Sequence, residues 1–144
     1  MIIRNTISID SSMDKVWEVL SKPENTGEWQ QGFQSWNLIS GERGTSGAKA
    51  EWIYKTGSNV VKVIETINLI SKGNYEGLFE HDALSLIMKL STEEDGDKTL
   101  LKTILDIKFH SSSMAVAAPF MRNVFTTRQE NDLRNLKKFI EEKA

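Results

Sequence analysis

Ile7-Ser8-Ile9-Asp10-Ser11-Ser12-Met13-Asp14-Lys15-Val16-Trp17 runs on through Leu20-Ser21-Lys22-Pro23-Glu24-Asn25 to a second tryptophan, Trp29. The order of parts in this stretch is specific. Residues 2–9 alternate, with Ile3, Ile7 and Ile9 on one parity and Asn5 interrupting it, which predicts a strand. Ser11 or Ser12 is placed to cap a helix over 13–21, whose Val16, Trp17 and Leu20 share one side. Pro23 suits the first position of another short helix, where its missing N–H costs nothing. Gly27 and Gly32 bracket Trp29 and turn the chain towards the next strand.

From residue 34 to 110 the pattern is a run of antiparallel strands. Ser35 to Ile39 comes first, followed by the loop Gly41-Glu42-Arg43-Gly44-Thr45-Ser46-Gly47. Ala48, Ala50, Trp52 and Tyr54 share a face of the next strand, and Val61, Val63, Glu65, Ile67 and Leu69 share a face of a longer one. Tyr75, Gly77, Phe79 and His81 alternate with polar and apolar neighbours, as do Leu84, Leu86, Met88 and Leu90. After the polar turn Glu93-Glu94-Asp95-Gly96-Asp97, the residues Leu101, Thr103, Leu105, Ile107 and Phe109 face one way. Strict alternation means one wet face and one covered face.

The C-terminus supplies the cover. Between Ser113 and Glu142, Ala118, Met121, Phe125, Leu133, Leu136 and Ile140 recur at helical spacing. A helix of about 30 residues is roughly 45 Å long, enough to cross a small domain. Pro119 is expected to kink this helix or to end a short lead-in turn. The class is α+β, one domain over residues 1–144, with helices at both ends and strands between.

Composition bounds the function. A chain of 144 residues buries enough surface to fold without staples, and it has no cysteine for disulfides or thiolate metal sites. Net charge is −2, and 18 basic residues are dispersed among 20 acidic ones without the basic stripe of a nucleic-acid binder. Lys137-Lys138 is the only basic doublet, and its place near a helix end is accounted for by the helix dipole. No apolar run approaches a bilayer span and the start shows no basic-then-apolar leader, so no membrane insertion and a cytoplasmic location are expected.

Val16-Trp17, Pro23-Glu24 with Trp29, Gly47-Ala48 opening a strand, and Leu133-Arg134-Asn135-Leu136-Lys137 near the end together resemble the START-like (SRPBCC) superfamily. The polyketide cyclase/dehydrase and lipid-transport branch is most similar, with the Hsp90-activator-like branch second. The resemblance implies a helix-grip fold: a strand, two short helices, six strands and a long C-terminal helix gripped by a curved antiparallel sheet of about seven strands. It also implies a cavity between sheet and helix, with the loop 41–47 either a flap at its mouth or an ordinary connection. That loop is no phosphate cradle, since no Gly-Lys-Ser/Thr follows and a strand comes next.

Within that frame Glu65 is the sharpest anomaly. It occupies a position where apolar residues are wanted, so it must find a partner, stay protonated or reach water. It is a candidate general base or ligand-orienting group; a structural carboxylate at a sheet edge or bulge is the plain alternative. His81 has the parity of Tyr75 and Phe79 and is a candidate acid or base, or else a half-exposed strand-end histidine beside Asp82. Arg122, one turn after Ala118, is placed to lean towards Glu65 or an anionic ligand, or simply to face solvent; Arg128, Asn123 and Gln129 are weaker candidates of the same kind. His81 and His110 lack metal-ligand spacing, so no metal and no cofactor is implied. No serine elbow or carboxylate dyad for hydrolysis stands out.

The reading is a binding protein for a small hydrophobic or amphipathic molecule. Trp52, Tyr54, Val63, Phe79, Leu86, Met88, Leu105, Ile107, Met121 and Phe125 are expected to line the cavity, with Glu65, His81 and Arg122 choosing the polar end of the ligand. An enzyme of cyclase or dehydratase type using the same cavity, with Glu65 or His81 carrying the proton, is the second reading. An Hsp90-activator-like interaction module is the third. The strand faces bearing Lys49, Glu51, Lys102, Asp106 and Lys108 look solvated. Both monomer and homodimer remain open, since an uncovered edge strand can pair two copies.

Overall fold

The computed structural model describes residues 1–143. Its chain order is β1 (Ile2–Ile9), α1 (Met13–Leu20), a 3-10 helix (Pro23–Glu28), β2 (Phe33–Ser40), β3 (Lys49–Thr56), β4 (Asn59–Ser71), β5 (Asn74–Glu80), β6 (Leu84–Asp95), β7 (Lys98–Phe109) and α2 (Ser112–Glu142). The strands form one antiparallel sheet in the order β1-β7-β6-β5-β4-β3-β2, so the N-terminal strand closes against the last one and β2 forms the far edge. This is the helix-grip arrangement expected from the sequence.

Local chemistry starts each element where the sequence marks it. Ser12 caps α1 by accepting from the Lys15 amide, and Asp14 sits in the first turn, where the helix dipole favours an anion. Trp17 donates its indole N–H to Thr92 Oγ1 at 2.8 Å, fastening α1 to β6. Ser111 caps α2 through the Met114 amide. Pro119 does not end a lead-in turn but lies inside α2, which runs on through it. Both Pro119 and Ala115 are on its exposed side, so the carbonyl left without an amide partner faces water.

The core divides in two. In one cluster Leu133, Leu136 and Ile140 of α2 pack on Ile9, Val16, Val19 and Leu101. In the other, Ile3, Leu105 and Ile107 are buried with Leu84, Leu86, Met88, Phe109 and Phe125 packed around them. Between the clusters runs a polar row: Asn5 faces Thr103 across β1 and β7, and Gln129 donates to Thr103 Oγ1 at 3.2 Å. The outer face carries cross-strand ion pairs, Lys62–Glu51 at 3.0 Å, Lys89–Glu76 at 3.6 Å and Lys102–Glu93 at 2.8 Å. Lys137 reaches the Ser8 carbonyl at 2.6 Å and the Glu141 carboxylate, which ties α2 to β1. The last turn of α2 contains no base, so the dipole does not account for this lysine.

The two halves of α2 are unlike. Its C-terminal half buries Leu133, Leu136 and Ile140, while Val116, Phe120 and Val124 of its N-terminal half are 75%, 84% and 67% exposed. Leu136→Ala is therefore expected to cost about 2–5 kcal/mol of stability, and Phe120→Ser to stay within about 0.5 kcal/mol of the parent. Urea unfolding of the two variants checks the contrast.

Candidate functional site

The expected face of β4 breaks at one point. The hairpin turn pairs Ile70 with Tyr75 and Leu69 with Glu76, but beyond the irregularity at Asn68 the partners become Ile67 with Gly77 and Glu65 with Phe79. One extra residue reverses which side chains point inward. Leu69, expected on the covered face, is 52% exposed as a result, and Ile70 takes the inward position beside Tyr75. Continued without that extra residue, the pairing of the turn would set Thr66 opposite Phe79 and send Glu65 outward.

Glu65 points inward and is 7% exposed. Its strand neighbours are Ala50 on one side and Phe79 on the other. The Trp52 indole N–H donates to Glu65 Oε1 at 3.1 Å, and the Tyr75 hydroxyl donates to Oε2. Tyr75 reaches it by lying across Gly77, where a Cβ would come within 2.6 Å of the tyrosine Cζ. Glycine at this inward position is the steric condition for the Tyr75–Glu65 bond.

No lysine, arginine or histidine pairs with Glu65 among the described residues. Burial, the Glu65 charge and the hydrogen bond to Glu65 raise the Tyr75 hydroxyl far above the ordinary tyrosine value. Tyr54 is raised too, by burial first; Arg128 pulls it down, while Asp132 and Glu65 push it up. Both phenols stay protonated and act as donors.

An aromatic wall continues from Glu65 towards the sheet edge. Trp52 and Tyr54 stack with ring centroids 6.5 Å apart, and Phe33 meets each edge-on at 5.9 and 6.1 Å. Tyr54 donates to Gln30 Oε1 at 2.6 Å. Arg128 lies 5.7 Å from the Tyr54 ring centroid, donates to the Gln31 carbonyl at 2.8 Å and stands 3.9 Å from Asp132. Asp132 accepts from the Gln31 amide at 3.2 Å; burial raises its carboxyl above the usual value, against the Gln31 hydrogen bond and Arg128. These groups latch the middle of α2 to the segment between the 3-10 helix and β2. A second latch holds the loop 41–47: Arg43 makes a two-pronged bond to Glu24 at 2.6 and 2.7 Å and covers Trp36 at 5.5 Å.

The structure gathers some of the anticipated residues and disperses others. Trp52, Tyr54, Val63, Phe79, Leu86 and Met88 lie half-buried on the inner face of β3–β6, and Met121 and Phe125 are half-buried on α2, with Phe125 edge-on to Phe109 at 6.4 Å. Leu105 and Ile107 are 5% and 2% exposed, enclosed in the second core cluster. His81 follows the end of β5, where its Nδ1 accepts from the Ala83 amide at 3.1 Å. It borders an outer hollow of about 760 Å³ with Val60, Lys62, Ile64, Glu80, Asp82 and His110, away from Glu65's face of β4. Arg122 does not pair with Glu65; it is exposed and donates to the Ile2 carbonyl at 2.9 Å. Another open hollow, about 490 Å³, lies between residues 27–32 and Asn131, Arg134 and Asn135 of α2. Among the described residues no three His, Cys, Asp or Glu side chains cluster as metal ligands, and no helix is long and apolar enough to cross a membrane.

Sequence reasoning did not anticipate Tyr75 as the partner of Glu65, nor Phe33, Gln30 and Asp132. The available signal was Gly77, a side-chain-free position on the inward parity between two aromatics.

Residues 2–141 match the family described as polyketide cyclase / dehydrase and lipid transport. The chain belongs to this family. No curated protein matches it. Among solved structures, a START superfamily protein from Mycobacterium smegmatis is similar with a TM-score of 0.84 at 14% identity, covering 99% of each chain. A conserved protein from Geobacillus kaustophilus gives 0.81 at 15%, covering 97% of this chain and 95% of that one. The Zhui aromatase/cyclase from Streptomyces sp. R1128 gives 0.79 at 13%, covering 98% and 93%. At such identities these likenesses establish the START-like fold.

The Gly77–Tyr75 fit yields a test. Gly77→Ala is expected to cost about 1–3 kcal/mol by overpacking against the ring, and much less when Tyr75 is already alanine. A double-mutant cycle by urea unfolding reads the coupling.

Proposed function

We propose that this chain binds a small hydrophobic or amphipathic molecule in a cavity between the inner face of β3–β6 and the N-terminal half of α2. The supporting observation is the combination on one face of half-buried aromatic and aliphatic side chains with a buried carboxylate that two fixed donors hold in place. Apolar walls with a few oriented polar groups are the usual make-up of a small-molecule site. In this reading Trp52, Tyr54, Val63, Phe79, Leu86, Met88, Met121 and Phe125 bury the ligand body, and Glu65 orients its polar end. Leu105 and Ile107 support the wall from beneath. His81 and Arg122, engaged at Ala83 and Ile2, stand outside the site. The protein would act in the cytoplasm, as a monomer or homodimer.

The second reading, a cyclase- or dehydratase-type enzyme, draws on the Glu65–Tyr75 pair, which sets a carboxylate and a phenol in hydrogen-bond contact on the same face. An Hsp90-activator-like docking role draws less support, because the outer face carries ion pairs rather than an apolar patch.

Native mass spectrometry of gently purified protein, followed by solvent extraction, is expected to release a stoichiometric apolar compound. An apo mass together with unchanged tryptophan fluorescence across a lipid and aromatic library would count against the binding reading. Once that compound is known, Glu65→Gln separates the two readings: lost turnover with retained affinity identifies an enzyme, and altered affinity without turnover identifies a carrier.

A further inference from the structure

Three charged groups bear on the aromatic wall: Glu65, Asp132 and Arg128. Arg128 is committed to Asp132 at 3.9 Å and to the Gln31 carbonyl at 2.8 Å, and Gln31 and Arg128 between them serve Asp132. One positive charge against two negative leaves Glu65 without a counter-ion. Its two donors, the Trp52 indole and the Tyr75 hydroxyl, are both neutral. A carboxylate accepts about four hydrogen bonds, so two acceptor positions remain after these. A buried charge in that state is costly unless a cation joins it, water reaches it or it is neutralised. The surfaces around it are aromatic: the stacked Trp52 and Tyr54, with Phe33 at their edges, and the Tyr75 ring over Gly77. Aromatic faces attract cations and apolar bodies alike.

We propose that the ligand carries a protonated amine on an apolar body, with Glu65 as its counter-ion. This rests on the reading that the inner face of β3–β6 is the ligand site. The amine donates to the free acceptor positions of Glu65, and the chain or ring attached to it lies along the aromatic wall. Trp52 and Tyr75 act as positioning residues, holding the carboxylate still so that the incoming donor meets a fixed acceptor. The same arrangement selects against fatty acids and other carboxylated amphiphiles, whose charge would face Glu65 unscreened.

Isothermal titration calorimetry with n-octylamine, n-octanol and n-octanoate tests this with one apolar body and three head groups. The wild-type protein is expected to bind octylamine at least tenfold more tightly than octanol, and octanoate most weakly. Glu65→Gln keeps the size and one acceptor, and it is expected to bring amine and alcohol within about twofold of each other. Glu65→Asp keeps the charge and is expected to keep the amine preference. If octanol or octanoate binds the wild-type protein as tightly as octylamine, or if the preference survives Glu65→Gln, the cation assignment is overturned while the ligand site stands. If none of the three binds, the ligand-site reading falls with it.

Discussion

One helix cannot cover seven strands. Six strand spacings of about 4.8 Å make a sheet roughly 29 Å wide, whereas a helix with its side chains is about 10–12 Å across. The chain settles α2 at one side of that width, where Leu133, Leu136 and Ile140 bury themselves against Ile9, Leu101 and α1. The inner face of β3–β6 is left with half-buried side chains as a geometric consequence.

Polar contacts fix the remaining geometry. Asp132 and Arg128 on α2 clamp residue 31, and Tyr54 clamps Gln30, so the middle of the helix is tied to the segment ahead of β2. Arg43 does the same for the loop by bridging Glu24 and Trp36. Along the N-terminal half of α2, Met121 and Phe125 are half-buried, with Phe125 packed on the second core cluster, while Val116, Phe120 and Val124 point to solvent.

Much of the fold was legible because its signals are local and repeated. The Ser12 cap, Pro23 opening a short helix, period-two strands and the 3.6-residue spacing of α2 all follow from short-range chemistry. Glu65 was legible too, as a carboxylate at an apolar parity. What surrounds it was not. The contact with Tyr75 depends on the extra residue at Asn68, which no glycine or proline marks, and parity carried past that point misassigns Leu69. Parity also carries His81 inward, but β5 ends one residue earlier and the rule has no force beyond the strand. Arg122 shows a different limit: helical spacing fixes where a side chain starts, while a long one reaches whichever acceptor is nearest, here the Ile2 carbonyl at the sheet edge.

Family membership gives the fold and a class of relatives, and the proposed ligand chemistry rests on Glu65, Trp52, Tyr75 and Gly77. The central claim is that this carboxylate-and-aromatic face receives a ligand. Indole N–H resonances in nitrogen-15 NMR test it most directly, because Trp52 bonds to Glu65 and Trp17 bonds to Thr92 at a separate place in the fold. The account predicts that adding an amphipathic ligand shifts the Trp52 indole signal, assigned with Trp52→Phe, and leaves that of Trp17 in place. A bound ligand that moves Trp17 and leaves Trp52 unchanged would contradict it.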